Sequence, residues 1–187
     1  MKIFYINNRD NGATYHFYNK NGKELMLLGD ILQDAYSYTI DGKPEFDKFY
    51  AYATIGDDVF VVKNLSWGFK EIQTHANDDA MGSGKKNTSR VISLNFIDGK
   101  KETIFKWIET LNKHEHEGHN DWYIPSLYEA RYLFRKTDIP CEKIWTSVEY
   151  GDDYRCAVTW IPEENASGWS NKTQAASWLG CIPIRSF

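Results

Sequence analysis

Asp121-Trp122-Tyr123-Ile124-Pro125-Ser126-Leu127-Tyr128-Glu129-Ala130-Arg131-Tyr132-Leu133-Phe134 reads as a short buried strand that stops at a proline and restarts as a capped helix. Ser126 supplies an N-cap hydroxyl and Glu129 stands three positions on. At that spacing the two side chains satisfy each other's orphan amides in a capping box. Tyr123 and Leu133 put large apolar bodies on either side of the junction.

Upstream, residues 101–112 place Ile104, Ile108 and Leu111 on one helical face with Phe105 alongside. That helix is expected to run out in the polar stretch His114-Glu115-His116-Glu117-Gly118, with the glycine as its stop. Thr88 is read as the cap of a short helix over residues 90–96, a strand being the alternative. Beyond Pro140 the chain turns to β structure at residues 144–148, 154–160 and 181–185, and a polar, aromatic loop is expected from Pro162 to Trp178. Toward the N-terminus, residues 2–6 and 13–18 read as a hairpin about Asn11-Gly12, with a turn at residues 19–22 and a strand at 24–28. A second hairpin is read from residues 51–54 and 59–62 about Gly56-Asp57-Asp58. Strands at both ends around two central helices describe an α+β domain with mixed, mainly antiparallel sheets.

The 187 residues suit one domain with an appended strand layer, divided as a hairpin extension at 1–28 and a main domain at 29–187. Net charge is −4, and Lys and Arg never form a run longer than a pair, which argues against grip on a phosphate backbone. The apolar start is too short for a signal-peptide core, and no stretch approaches membrane-spanning length. A cytoplasmic protein is expected; a phage particle, or release without a signal peptide, is the alternative. Cys141, Cys156 and Cys181 form an odd set without metal-ligand spacing. Reduced thiols are expected, with a Cys156–Cys181 bridge as the alternative.

Six short pieces recur here in a recognisable order. They are Gly29-Asp30-Ile31, Val59-Phe60-Val61-Val62, Ser66-Trp67-Gly68 with Lys86-Asn87-Thr88, Asp121-Trp122-Tyr123-Ile124-Pro125-Ser126, Ile144-Trp145-Thr146-Ser147-Val148-Glu149-Tyr150, and the ending Ile182-Pro183-Ile184-Arg185-Ser186-Phe187. In this the chain resembles the Lcl C-terminal-like family, bacterial and phage domains of unknown function with a C-type-lectin-like fold. The resemblance runs from about Gly29 to the last residue and leaves the first hairpin outside. Thr146 and Ile182 depart from the family pattern, as does the Trp-rich stretch from Pro162 to Trp178. The resemblance implies Trp122 and Trp145 in the core. It implies little about a ligand, because one fold hosts many activities.

Catalytic chemistry finds little footing. His114, His116, His119 and Asp121 match no metal-ligand spacing and read as a solvated helix end near the C-terminal dipole. Calcium-dependent lectins of the fold that the resemblance implies use paired Glu-Asn or Asn-Asp ligands beside a cis-proline. Glu163-Glu164-Asn165 after Pro162 and Asn120-Asp121 are the only echoes, without the required order. No histidine stands in the C-terminal third to pair with a cysteine nucleophile. Gly82-Ser83-Gly84-Lys85-Lys86 lacks the first glycine and the hydroxyl of a phosphate loop. Neither a catalytic residue nor a metal or cofactor is expected.

The aromatic set is the informative one. Tyr150, Tyr154, Trp160, Trp169 and Trp178 stand in or beside a segment rich in Ser, Asn, Lys and Gln, the mix of rigid anchors and adaptable polar groups that recognition surfaces use. The alternative is that two of the three tryptophans pack beneath the loop. With Asp152, Asp153, Glu163 and Glu164 this set defines the expected partner surface. The expected function is a non-catalytic module that recognises a protein or glycan. A small acidic inhibitor of a host defence factor that binds nucleic acid is the second reading, and an enzyme the third. Oligomeric state is left open.

Overall fold

The computed structural model describes residues 2–7, 14–18, 24–27, 48–55, 58–94, 102–134 and 139–186. The turns expected at Asn11-Gly12, residues 19–22 and Gly56-Asp57, the opening turn at Gly29-Asp30-Ile31 and the end of the short helix at 95–96 lie outside these residues. In chain order the strands are β1 (Lys2–Asn7), β2 (Thr14–Tyr18), β3 (Glu24–Leu27), β4 (Lys48–Tyr52), β5 (Thr54–Ile55), β6 (Asp58–Val59) and β7 (Val62–Lys63). Three helices follow, α1 (Gly84–Ser93), α2 (Ile104–Lys113) and α3 (Leu127–Phe134). The last strands are β8 (Lys143–Glu149), β9 (Cys156–Ile161), β10 (Ala166–Asn171), β11 (Leu179–Cys181) and β12 (Ile184–Ser186).

The chain is α+β. A central sheet has the order β10-β9-β8-β11-β7, and every pairing in it is antiparallel except β8 with β11. A second sheet has the order β12-β4-β1-β2-β3, and β5 with β6 forms a short ribbon. The C-terminal stretch expected as one strand is two. Pro183 has no N–H to give a ladder, so pairing breaks there and the chain crosses from β11 in the central sheet to β12 in the second. The Pro183 carbonyl meanwhile accepts the Ala53 N–H at 3.0 Å, which ties the crossover to the end of β4.

The strand–helix junction forms as its residues dictate. The Ser126 N–H donates to Glu129 Oε2 at 2.8 Å, and the Glu129 N–H returns a bond to Ser126 Oγ at 3.3 Å. Ahead of it, Asn112 brackets the main chain of Trp122, donating to its carbonyl and accepting its N–H, both at 2.8 Å. Helix α2 begins at Ile104 because the Thr103 side chain caps it, accepting the Lys106 N–H at 3.2 Å. Its Ile104, Phe105, Ile108 and Leu111 are buried together. The helix stops at Lys113 rather than at glycine. The chain then passes through left-handed backbone at Glu115 and Glu117, around a 3-10 turn.

Among the described residues there are three helices, not two; α1 and α3 pack on the central sheet and α2 packs on α1. The first is expected over residues 90–96 with Thr88 as its cap, but α1 begins at Gly84 and Thr88 lies inside it. The Thr88 hydroxyl serves another element: it donates to the Ile124 carbonyl at 3.3 Å and accepts the Ile124 N–H at 3.1 Å. Strand β8 is buried on both faces. Ile144 and Trp160 join Ala130, Leu133 and Phe134 of α3 in one core, while Trp145 joins Trp67, Val91, Ile108 and Trp122 in the other. Trp122 and Trp145 are buried, and each indole N–H is spent on a main-chain carbonyl, of His116 and Leu65 respectively. Such a polar tip needs a partner once it leaves water.

Candidate functional site

Strand β10 is the element that the sequence concealed in a loop. Ala-Ser-Gly-Trp-Ser-Asn has little intrinsic β preference, and it forms a strand because it folds back on β9 through a four-residue turn at 162–165. Asn165 takes the left-handed conformation that closes the turn. Side chains along β10 alternate between covered and exposed, which puts Ser167, Trp169 and Asn171 on the outside.

Trp169 stands 58% exposed, the largest apolar side chain so displayed among the described residues. Its ring stacks on Tyr150, with centroids 6.0 Å apart and planes 19° apart. The Tyr150 phenol is held above its ordinary pKa by a hydrogen bond to Asp152 and by that carboxylate's charge. Tyr154, also exposed, lines a shallow cleft of about 350 Å³ with Lys70, Glu71, Asp153, Arg155 and Asn171. Asp153 and Arg155 face each other as a two-pronged pair, Nε donating to Oδ1 and the second guanidinium nitrogen to Oδ2, both at 2.8 Å, and the guanidinium pulls the Asp153 carboxyl down to about 2.

Of the expected surface, the structure gathers Tyr150, Asp152, Asp153, Tyr154 and Trp169 at one end of the β9–β10 hairpin. Trp160 does not belong to it. It is 1% exposed, packed against Ile144 and Ile184 in the core beneath α3, because β9 lies inside the sheet. Trp178 is half-buried against the other core, with Lys143 Nζ over its ring at 5.6 Å. Glu163 and Glu164 sit in the turn at the far end of the hairpin. They are about 17 Å of strand away from Asp153, at ~3.3 Å per residue along β9, so the two acidic pairs form separate patches. Sequence reasoning missed Lys70, Glu71, Arg155 and Asn171. Only Arg155 carried a signal, an opposite charge two residues from Asp153.

Beneath the cleft lies a buried ion pair. Lys172 Nζ and Glu149 Oε2 meet at 2.5 Å with both side chains out of solvent. The ammonium also donates to the Ile72 carbonyl at 2.9 Å and sits 4.7 Å from the Trp67 ring centre. The carboxylate accepts the Thr74 N–H, the Thr74 hydroxyl and the His75 N–H at 2.7, 2.9 and 3.0 Å. Burial alone would raise the Glu149 pKa. The bonds from Lys172 and Thr74 outweigh it and hold the carboxyl below its usual range. These contacts pin the 67–75 segment, which carries Lys70 and Glu71, to the end of β8 and the turn after β10. The site therefore has a rigid floor.

The remaining candidates resolve locally. Asp121 is taken by Arg185 in a bidentate pair at 2.7 and 3.1 Å, while His116 and His119 lie against Trp122. Among the described residues no three His, Cys, Asp or Glu side chains converge on one point. The Cys156–Cys181 bridge is excluded by topology. Strand β8 lies between β9 and β11, which sets the two backbones about 9–10 Å apart across the sheet before any offset in register, beyond a disulfide's reach. No described helix is long and apolar enough to cross a membrane. Neither a family model, a curated protein nor a solved structure matches the chain.

Proposed function

We propose that this chain is a non-catalytic recognition module, built on a C-type-lectin-like arrangement, that binds a protein or glycan partner through the Tyr150–Trp169 ledge and the cleft beside it. One observation carries the reading: a tryptophan left mostly in water, held flat against a tyrosine on a rigid hairpin, next to a polar cleft. Leaving so much apolar ring in solvent does nothing for folding, and exposed aromatic anchors concentrate binding energy. The capped junction at Ser126 and the buried Trp122 and Trp145 support the architecture that the resemblance implied.

The test is a paired comparison of wild type with Trp169→Ala and Tyr150→Ala, on a glycan array and in capture from host lysate. Trp169→Ala is expected to abolish retention of whatever the wild type retains. It should shift stability by no more than about 1 kcal/mol, because the ring contributes little to either core. A variant that retains the same partner at the same strength would remove the ledge from consideration.

A further inference from the structure

The main chain of β10 offers something its side chains do not. In an antiparallel pair, residues directly opposite exchange hydrogen bonds at every second position. The Lys172 N–H donates to the Arg155 carbonyl at 3.0 Å, and this fixes the phase of the β9–β10 ladder. Ser170, Gly168 and Ala166 then face β9 with their N–H and C=O groups, while Asn171, Trp169 and Ser167 turn theirs outward. The neighbouring strand agrees. Cys156 and Val158 give their carbonyls to Tyr150 N–H and Thr146 Oγ1, on the side away from β10.

The Asn171 carbonyl is taken by the Gln174 N–H, but no described residue bonds the outward groups of Ser167 or Trp169. This edge also lacks the usual guards. Lys, Glu and Pro are absent from Ala166–Asn171, and its pairing with β9 runs unbroken without a bulge. The opposite edge of the same sheet, β7, is only two residues long.

We propose that β10 is an acceptor edge, to which the partner adds an extended peptide strand through main-chain hydrogen bonds to Ser167 and Trp169, while a partner side chain covers the free side of the Trp169 ring. The assignment rests on the recognition role proposed above and names its partner class, a protein segment. Charge selects among possible segments. The middle of the edge is uncharged, whereas Asp152 stands near one end, beside Asp153 whose charge Arg155 answers, and Glu163 and Glu164 stand at the other. A strand with uncharged centre and basic flanks complements it. A second copy of this chain, paired antiparallel about Gly168, would bring the Glu163–Glu164 turn of each copy toward the Asp152–Asp153 end of the other, and like charges would meet.

The experiment uses a fluorescent peptide of alternating threonine and valine with two lysines at each end, its counterpart with glutamates instead, and a lysine version N-methylated at every threonine and valine, so that neither edge can donate. Binding to the full chain is followed by anisotropy. The lysine peptide is expected to bind, with the N-methylated version weaker by roughly tenfold or more, the loss that one or two hydrogen bonds entail, and the glutamate version weaker because its flanks meet like charges. Ser167→Pro removes an outward N–H without touching the β9 ladder, a position where an edge strand tolerates proline, and should weaken the lysine peptide equally. Should that variant fold poorly, the N-methylated peptide on wild type decides. Equal binding of all three peptides, no binding of the lysine peptide, or full binding by a folded Ser167→Pro overturns the proposal. So does a concentration-dependent dimer that Ser167→Pro dissolves, which would give the edge to a second copy. If Trp169→Ala abolishes capture of a partner that Ser167→Pro still holds, the ledge stands and strand addition falls.

Discussion

At the scale of single residues, Gly84 is where the fold leaves least room. A Cβ there would lie 2.7 Å from the Ser126 nitrogen and 2.8 Å from the Ile124 carbonyl, and would also collide with Glu129 Oε2. The first turn of α1 thus approaches the strand–helix junction as closely as backbone permits, and the glycine's missing side chain allows it. Gly84→Ala would gain roughly 1 kcal/mol of helix propensity. Forcing a methyl group against backbone costs about 1–3 kcal/mol, and here two of the three obstacles are main-chain atoms that cannot swing aside. The expected outcome is net destabilisation, visible as a lowered urea midpoint. Gly68→Ala is the control, since its added Cβ meets nothing within 4 Å. Equal midpoints for the two variants would show that α1 can slide away from the junction.

At the scale of elements, the Glu149–Lys172 pair joins three segments that secondary structure alone would leave apart. Lys172→Met removes the ammonium and strands a buried carboxylate, for which a loss of about 3–5 kcal/mol is expected. Adding Glu149→Gln should restore part of that loss, because a neutral amide still accepts from Thr74 and His75. A double-mutant cycle with no coupling would mean that the pair contributes nothing as a pair. None of this was legible in the sequence, because a buried lysine is recognisable only beside its partner, here 23 residues away in sequence and across the sheet. The capped α3 and the apolar face of α2 were legible, since both depend on spacing within one or two turns. Strand β10 was not. Its six residues have the composition of a loop, and only the ladder with β9 makes them a strand. The candidate site was legible in part for the same reason. Tyr150, Tyr154 and Trp169 could be picked out as aromatics near polar residues, but nothing local distinguished them from Trp160. The position of β9 within the sheet buries Trp160, and that is a tertiary fact.

At the scale of the whole molecule, buried carboxyls pull stability in opposite directions with pH. Glu129 is fully enclosed, and burial pushes its pKa from 4.5 up to about 7 even though the Ser126 amide, the Tyr123 hydroxyl and the Gly82 amide all donate to it. Between those values the folded chain holds a proton that the unfolded chain has released. Its contribution is therefore full below about pH 4.5 and is lost as pH rises through 7, a change of roughly 3 kcal/mol. Glu149 and Asp121 run the other way. Burial raises both, but Lys172 with Thr74, and Arg185 respectively, outweigh it and hold them below their usual values. Their contribution is present above pH values of about 4 and is lost as acid protonates them in the fold. The melting temperature is therefore expected to peak in mildly acidic buffer and to fall on both sides. Glu129→Gln should flatten only the alkaline limb and extend the plateau to neutrality, because the amide still accepts a hydrogen bond but has no proton to release. A wild type melting equally at pH 5 and pH 8, or a Gln variant keeping the alkaline slope, would separate Glu129 from that limb and leave the junction between α1 and α3 indifferent to pH.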